Sequence, residues 1–155
     1  MPGYDITVEL ELDAPGLDLD ALEQLAREVM AGEDIAGGTG LAVVIVDDDE
    51  IRDLNAQFLG NDEPTDVLSF PDEGDDFIEG GEAEPFLGDI AISLPTAQRQ
   101  ADTVGHPLAA EMAHLLVHGI LHLCGYDHVN GGEEEARMRA REEHYLGGSG
   151  AVHHH

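Results

Sequence analysis

Residues 118–128 read HGILHLCGYDH, and they limit what the chain can fold into more than any other stretch. They close an apolar run from Leu108 to Leu123 whose pattern predicts a helix. A helix turns about 100° per residue, so side chains four apart stack on one face. His118 and His122 therefore project together. Gly125 predicts the helix stop, after which Tyr126 and Asp127 let the chain double back and bring His128 alongside. Three imidazoles can take three corners of a tetrahedron and leave the fourth open, the donor set of a catalytic zinc site rather than a closed structural one. A lone histidine on an apolar helix is most often a hydrogen-bonded core residue, and a pair four apart arises by chance. The glycine and the third histidine tip the balance to metal. Cys124 lies about 200° round the helix from His122 and is expected to pack as a small buried hydrophobe. His114, one turn before His118, is expected behind the ligands or in the core, with contact to substrate or metal as the lesser alternative.

The preceding chain alternates strands and helices. Ile6, Val8, Leu10 and Leu12 alternate with polar residues, the pattern of a strand with one buried face. Asp18 can cap a helix from Leu19 to Ala31, with Leu22, Leu25, Ala26 and Val29 on its inner side. Leu41 to Val46 is continuously apolar and predicts a central strand buried on both faces. Asp47 or Asp48 caps a second helix that ends near Gly60. Val67 to Phe70 predicts a short strand closed by Pro71, and Gly88 to Leu94 another. Pro95 opens a helix through Ala101, and Pro107 suits the first position of the histidine-bearing helix. Asp72 to Glu84, acidic and glycine-rich, reads as a surface loop without chemistry. Glu133 to Tyr145 makes a last helix, with Met138 and Tyr145 as packing groups. The expected fold is α+β: a small mixed four-stranded sheet flanked by about five helices. Residues 1–146 read as a single metal-dependent hydrolase domain. Residues 147–155 read as a flexible appended tail, so His153 to His155 are left out of the site.

Composition narrows the setting. One cysteine excludes a disulfide framework and suits a reducing cytoplasm. No apolar run approaches the roughly 20 residues of a membrane helix, and no signal pattern opens the chain. The formal charge is −28; all six basic residues are arginine. Such a surface resists precipitation in high salt, the plain reading being adaptation to a salty cytoplasm, and it repels polyanions at low salt.

Zinc held by three neutral imidazoles lowers the pKa of bound water to about 7. The spacing H-x-x-x-H-x-x-G-x-x-H is that of the metzincin proteases, which carry a glutamate general base after the first histidine. Here that residue is Gly119, which argues against proteolysis. A mid-helix glycine costs about 1 kcal/mol relative to alanine, so something is expected to approach the backbone there, and an extended substrate fits. The general base is open: Asp66, Asp89 and Asp127 are candidates by charge, and Asp127 can instead orient a ligand histidine.

HGILHLCGYDH, PTDVLSFP (Pro64 to Pro71) and LGDIAIS (Leu87 to Ser93) together closely resemble the YbeY family of bacterial endoribonucleases, in the family's order and within residues 4–146. The resemblance implies a zincin-like fold with His118, His122 and His128 as ligands of one Zn²⁺. It implies cleavage of single-stranded RNA in ribosomal RNA maturation, at the 3′ end of the small-subunit RNA, and in ribosome quality control. Thr65 and Ser69 would lie beside the metal cleft, their hydroxyls bonding phosphate or ribose; turn and strand-end hydrogen bonding is the competing role for both. The chain departs from the family at Leu59, where many members place an arginine suited to phosphate, and Arg52 is too distant in sequence to replace it. Two other functions compete: an assembly factor that docks on ribosomal proteins or an assembly GTPase with metal as a staple, and hydrolysis of a non-nucleic substrate such as a peptide.

Overall fold

The structure, a computed structural model, describes residues 4–11, 17–35, 37–71, 86–124 and 132–146. Asp18 and Asp47 each turn an extended backbone into a helix by accepting a hydrogen bond from the amide three residues on, that of Ala21 and that of Glu50. These caps start α1 (Leu19–Gly32) and α2 (Asp48–Leu59). Gly60 ends α2 in the left-handed conformation, φ 77°, which a side chain would resist. Between them and after them run β1 (Asp5–Leu10), β2 (Gly40–Val46), β3 (Val67–Pro71) and β4 (Phe86–Ser93), then α3 (Leu94–Val104), α4 (Leu108–Leu123) and α5 (Gly132–Leu146).

The strands form one mixed sheet in the order β1-β2-β4-β3. β1, β2 and β4 are parallel, and β3 runs antiparallel to β4. The continuously apolar β2 takes an inner position, as burial on both faces requires. The architecture is thus the expected α+β fold. Several boundaries differ from the sequence reading by a few residues, β4 beginning at Phe86 and α3 running to Val104, and two of the differences have a clear local cause. Leu94 begins α3 rather than ending β4, because the Ser93 hydroxyl caps the helix by accepting from the Thr96 amide. Pro107 is the N-cap of α4 rather than its first residue, with an extended backbone and no side-chain cap. The expected loop from Asp72 to Glu84, the helix stop at Gly125, the tail 147–155 and the Met138 side chain lie outside the described residues.

One face of the sheet carries the main core. Ile6, Leu41, Val43, Ile45, Ile90 and Ile92 point into it and meet Leu22, Ala26, Val29 and Met30 of α1 and Met112, Leu116 and Ile120 of α4. The other face carries a small cluster of Val46, Ile51, Leu68 and Ala91 under α2. α4 packs against α1, α3, α5, β3 and β4 at once. From Glu111 onward its positions are buried or half-buried, and His114, His118 and His122 form a half-buried row along it. No helix among the described residues is long and apolar enough to cross a membrane.

Candidate metal centre

The helix geometry brings His118 and His122 together as the spacing predicts, with ring centroids 4.8 Å apart. His128 and Asp127 lie outside the described residues. Among those described, no group of three histidine, cysteine, aspartate or glutamate side chains gathers to hold a metal. The two imidazoles nevertheless fit a metal by their chemistry. His118 is 28% exposed, neither sealed in the core nor loose on the surface. Its Nδ1 lies 2.7 Å from Oε2 of Glu142 on α5, which leaves Nε2 as the nitrogen that can bind a metal.

Glu142 is a member of the site that the sequence reading missed. Burial pushes its carboxyl up, but the imidazoles of His114 and His118 outweigh burial and hold it at about 2. It is an anion whenever the protein is folded near neutral pH. His114 stands 3.7 Å from Oε1 of the same carboxylate, an ion-pair distance rather than a hydrogen bond. Glu142 raises the His114 pKa against the effect of burial, with smaller contributions from Glu111 and Asp66. His114, one turn before His118, thus faces the same carboxylate. α5 is held in place by the residues on either side of Glu142. Arg141 and Tyr145 both hydrogen-bond Glu33 at the end of α1, at 2.8 and 2.7 Å. Gly32 permits this approach, because a Cβ there would overlap the Tyr145 ring.

The other candidates separate. Gly119 is buried, and a Cβ on it would meet Ile90 at 3.2 Å and the Ser69 hydroxyl at 3.3 Å. What comes close to its backbone is therefore the sheet itself. Ser69 donates its hydroxyl to the Gly119 carbonyl at 3.2 Å, tying the edge strand to the histidine helix. Thr65 lies just before that strand, with its hydroxyl 3.4 Å from Asp66. Both Asp66 oxygens are engaged, one by the Val67 amide at 2.7 Å and the other by Gln100 at 3.2 Å. Asp66 fixes the start of β3 while its charge reaches His114. Asp89 sits on β4. It alternates with Ile90, which faces α4, and lines a cavity of about 550 Å³ with Val44, Phe58, Leu59 and Phe70. Cys124 is half-buried against the main core, and burial pushes its thiol up to about 11, against a role as a thiolate ligand.

Four of the six arginines are paired with the protein's own carboxylates. Arg27, Arg52, Arg99 and Arg141 pair with Glu23, Asp62, Asp48 and Glu33. Arg52 in particular is held by Asp62 at 2.9 Å and does not replace the charge missing at Leu59, which is itself 54% exposed.

Comparison with known proteins agrees with these features. Residues 8–150 match the family model described as Endoribonuclease YbeY. A protein of that name from Chloroflexus aurantiacus is 46% identical over 144 residues, covering 90% of this chain and 93% of the relative. Another from Aquifex aeolicus is 53% identical over 106 residues, covering 68% and 67%. A solution structure of a Thermotoga maritima protein superposes with a TM-score of 0.59 at 31% identity, covering 92% of this chain and 89% of that one. The chain belongs to the YbeY endoribonuclease family.

Proposed function

We propose that this member of the family is a zinc-dependent, cytoplasmic endoribonuclease that cuts single-stranded RNA during ribosomal RNA maturation, at the 3′ end of the small-subunit RNA, and in ribosome quality control. The observation that carries the reading is the pair His118 and His122 side by side on α4, with a carboxylate already seated on the Nδ1 side of His118. His118, His122 and His128 would hold the ion. Bound zinc supplies a Lewis acid that brings the pKa of water toward about 7. The chain's own part is to fix the ligands. The buried flank of α4 sets the row of histidines, Glu142 orients His118, and the Ser69–Gly119 bond holds the edge strand beside the helix. Thr65 and Ser69 would stand at the cleft, where Ser69 keeps its acceptor lone pairs for substrate.

RNA is expected to arrive against the protein's field. A conventional RNA-binding protein loses affinity steeply as salt rises, because its lysines and arginines displace counterions. Here four of the arginines are paired with the protein's own carboxylates, and the formal charge is −28. Salt that screens long-range repulsion should help association. The same observation favours a second reading, an assembly factor that docks on ribosomal proteins or an assembly GTPase through the apolar surface at Phe58 and Leu59.

One experiment separates the two: cleavage of precursor ribosomal RNA with and without zinc, across a salt series. We expect zinc-dependent cutting that improves from low to moderate salt, disappears in His122→Ala together with bound zinc, and rises most at low salt in Leu59→Arg. A conventional steep fall between about 50 and 200 mM salt counts against the electrostatic account. Absence of cutting at every salt, with zinc retained, favours docking.

A further inference from the structure

In the described part of this strongly acidic chain the side chains of Glu33, Glu111 and Glu142 are withdrawn from water, and Glu33 is met by Arg141 and Tyr145. Glu111 is matched by one neighbour, His106, at 2.8 Å. Glu142 instead reaches from another helix to the row of histidines, 24 residues after the one it touches. A carboxylate withdrawn from water is costly unless polar partners meet it. Its partners here are His118 at 2.7 Å and His114 at 3.7 Å.

The consequence follows from imidazole chemistry. A neutral ring has one N–H and one lone pair, and the partner of one nitrogen decides where each goes. An ionised carboxylate only accepts, so His118 must present it with an Nδ1–H. The lone pair is then on Nε2, on the other side of the ring from Glu142. Without the carboxylate, the ring could carry its proton on either nitrogen and could swing about its side-chain bonds.

We propose that Glu142 is the positioning residue of the metal site: it fixes the Nδ1–H tautomer and the orientation of His118 and so prepares Nε2 as a ligand. It touches neither metal nor substrate. α5 delivers it because Arg141 and Tyr145, on the same helix, are clamped to Glu33 on α1. The inference rests on the metal-site reading above and adds a residue and a role to it.

The test uses the full chain stripped of metal, with ¹⁵N-labelled histidine, in mildly alkaline buffer. NMR should show His118 as the Nδ1–H tautomer in the wild type. Glu142→Gln keeps a carbonyl oxygen that can accept the same bond and should retain the tautomer. Glu142→Ala should show a mixture or the Nε2–H form. Zinc titration should then show a loss of affinity of about 10- to 100-fold for Glu142→Ala, with Glu142→Gln between it and the wild type. A packing role alone would lower thermal stability without changing the tautomer. If Glu142→Ala does not fold, the glutamine variant and the wild-type spectrum decide. An Nε2–H form in the wild type, or zinc affinity equal in all folded variants, overturns the positioning role while leaving the metal site standing. A wild type that takes up no zinc overturns the metal-site reading and this inference with it.

Discussion

The two faces of the sheet are built to different standards. On the face that α4 covers, strand and helix side chains interlock from Tyr4 to Leu121 in a single large cluster. On the face that α2 covers, four buried residues suffice among those described, and Phe58 and Leu59 stand 58% and 54% exposed beside a cavity. The histidines grow from the first face. If they bind metal as proposed, they must be held to within about half an ångström, and a close-packed core is what holds a helix to that tolerance. The second face has no such demand on it, and its apolar groups remain accessible.

The contrast can be broken most directly at Ile120, fully buried on α4 between the two histidines. Ile120→Ala should cost about 2–5 kcal/mol in chemical denaturation and loosen the ligand pair; a cost near zero would show that the packed face does not hold the site. Gly119→Ala tests the same face from the opposite direction. Overpacking against Ile90 and Ser69 costs about 1–3 kcal/mol, while alanine regains about 1 kcal/mol of helix propensity. We expect a net destabilisation, since Ile90 is itself fully buried and cannot yield. Ile90→Val removes the Cδ1 contact and should relieve part of the penalty, so strictly additive effects would exclude that contact as the cause.

A smaller effect should appear at Asp48, where α2 meets α3. Burial pushes its carboxyl up, but hydrogen bonds from Ser93, Thr96 and Arg99, and the charge of Arg99, leave it lowered overall. Its folded pKa thus lies below the unfolded value near about 4. The stability it contributes is fully present above that value and is lost as pH falls through the folded one. The stability difference between wild type and Asp48→Asn should therefore be flat at neutral pH and shrink under acid. A difference that stays constant down to the acid limit would remove Asp48 as the titrating group. Smallest of all should be Phe58→Ala on the open face, within about 0.5 kcal/mol. A larger cost there would mean that this face is as tightly held as the other.

Much of this was legible because it is local. Asp18, Asp47 and Gly60 act on residues three or four away, and the continuous apolar run of β2 states its own burial. The pairing of His118 with His122 is likewise written in a four-residue spacing. Glu142 was not legible in the same way. It follows Glu133, Glu134 and Glu135 and precedes Glu143, so charge alone does not single it out. A usable signal did exist: Met138, Glu142 and Tyr145 fall at i, i+4 and i+7, which puts a carboxylate in the apolar stripe of a helix. Asp89 shows the matching rule for a strand: it alternates with Ile90, which faces α4, and so falls on the opposite face of the sheet. Ser93 was concealed by the apolar run around it, which reads as strand to Leu94, although its hydroxyl is what starts α3.

The clasp between Glu33, Arg141 and Tyr145 also sets an order in time. Synthesis makes α4 and its histidines first, and the ribosome must add 24 residues after His118 before Glu142 exists to meet it. If Glu142 positions His118 as proposed, a chain cut short before α5 lacks that carboxylate, and the clasp is what returns it from the last helix to the first.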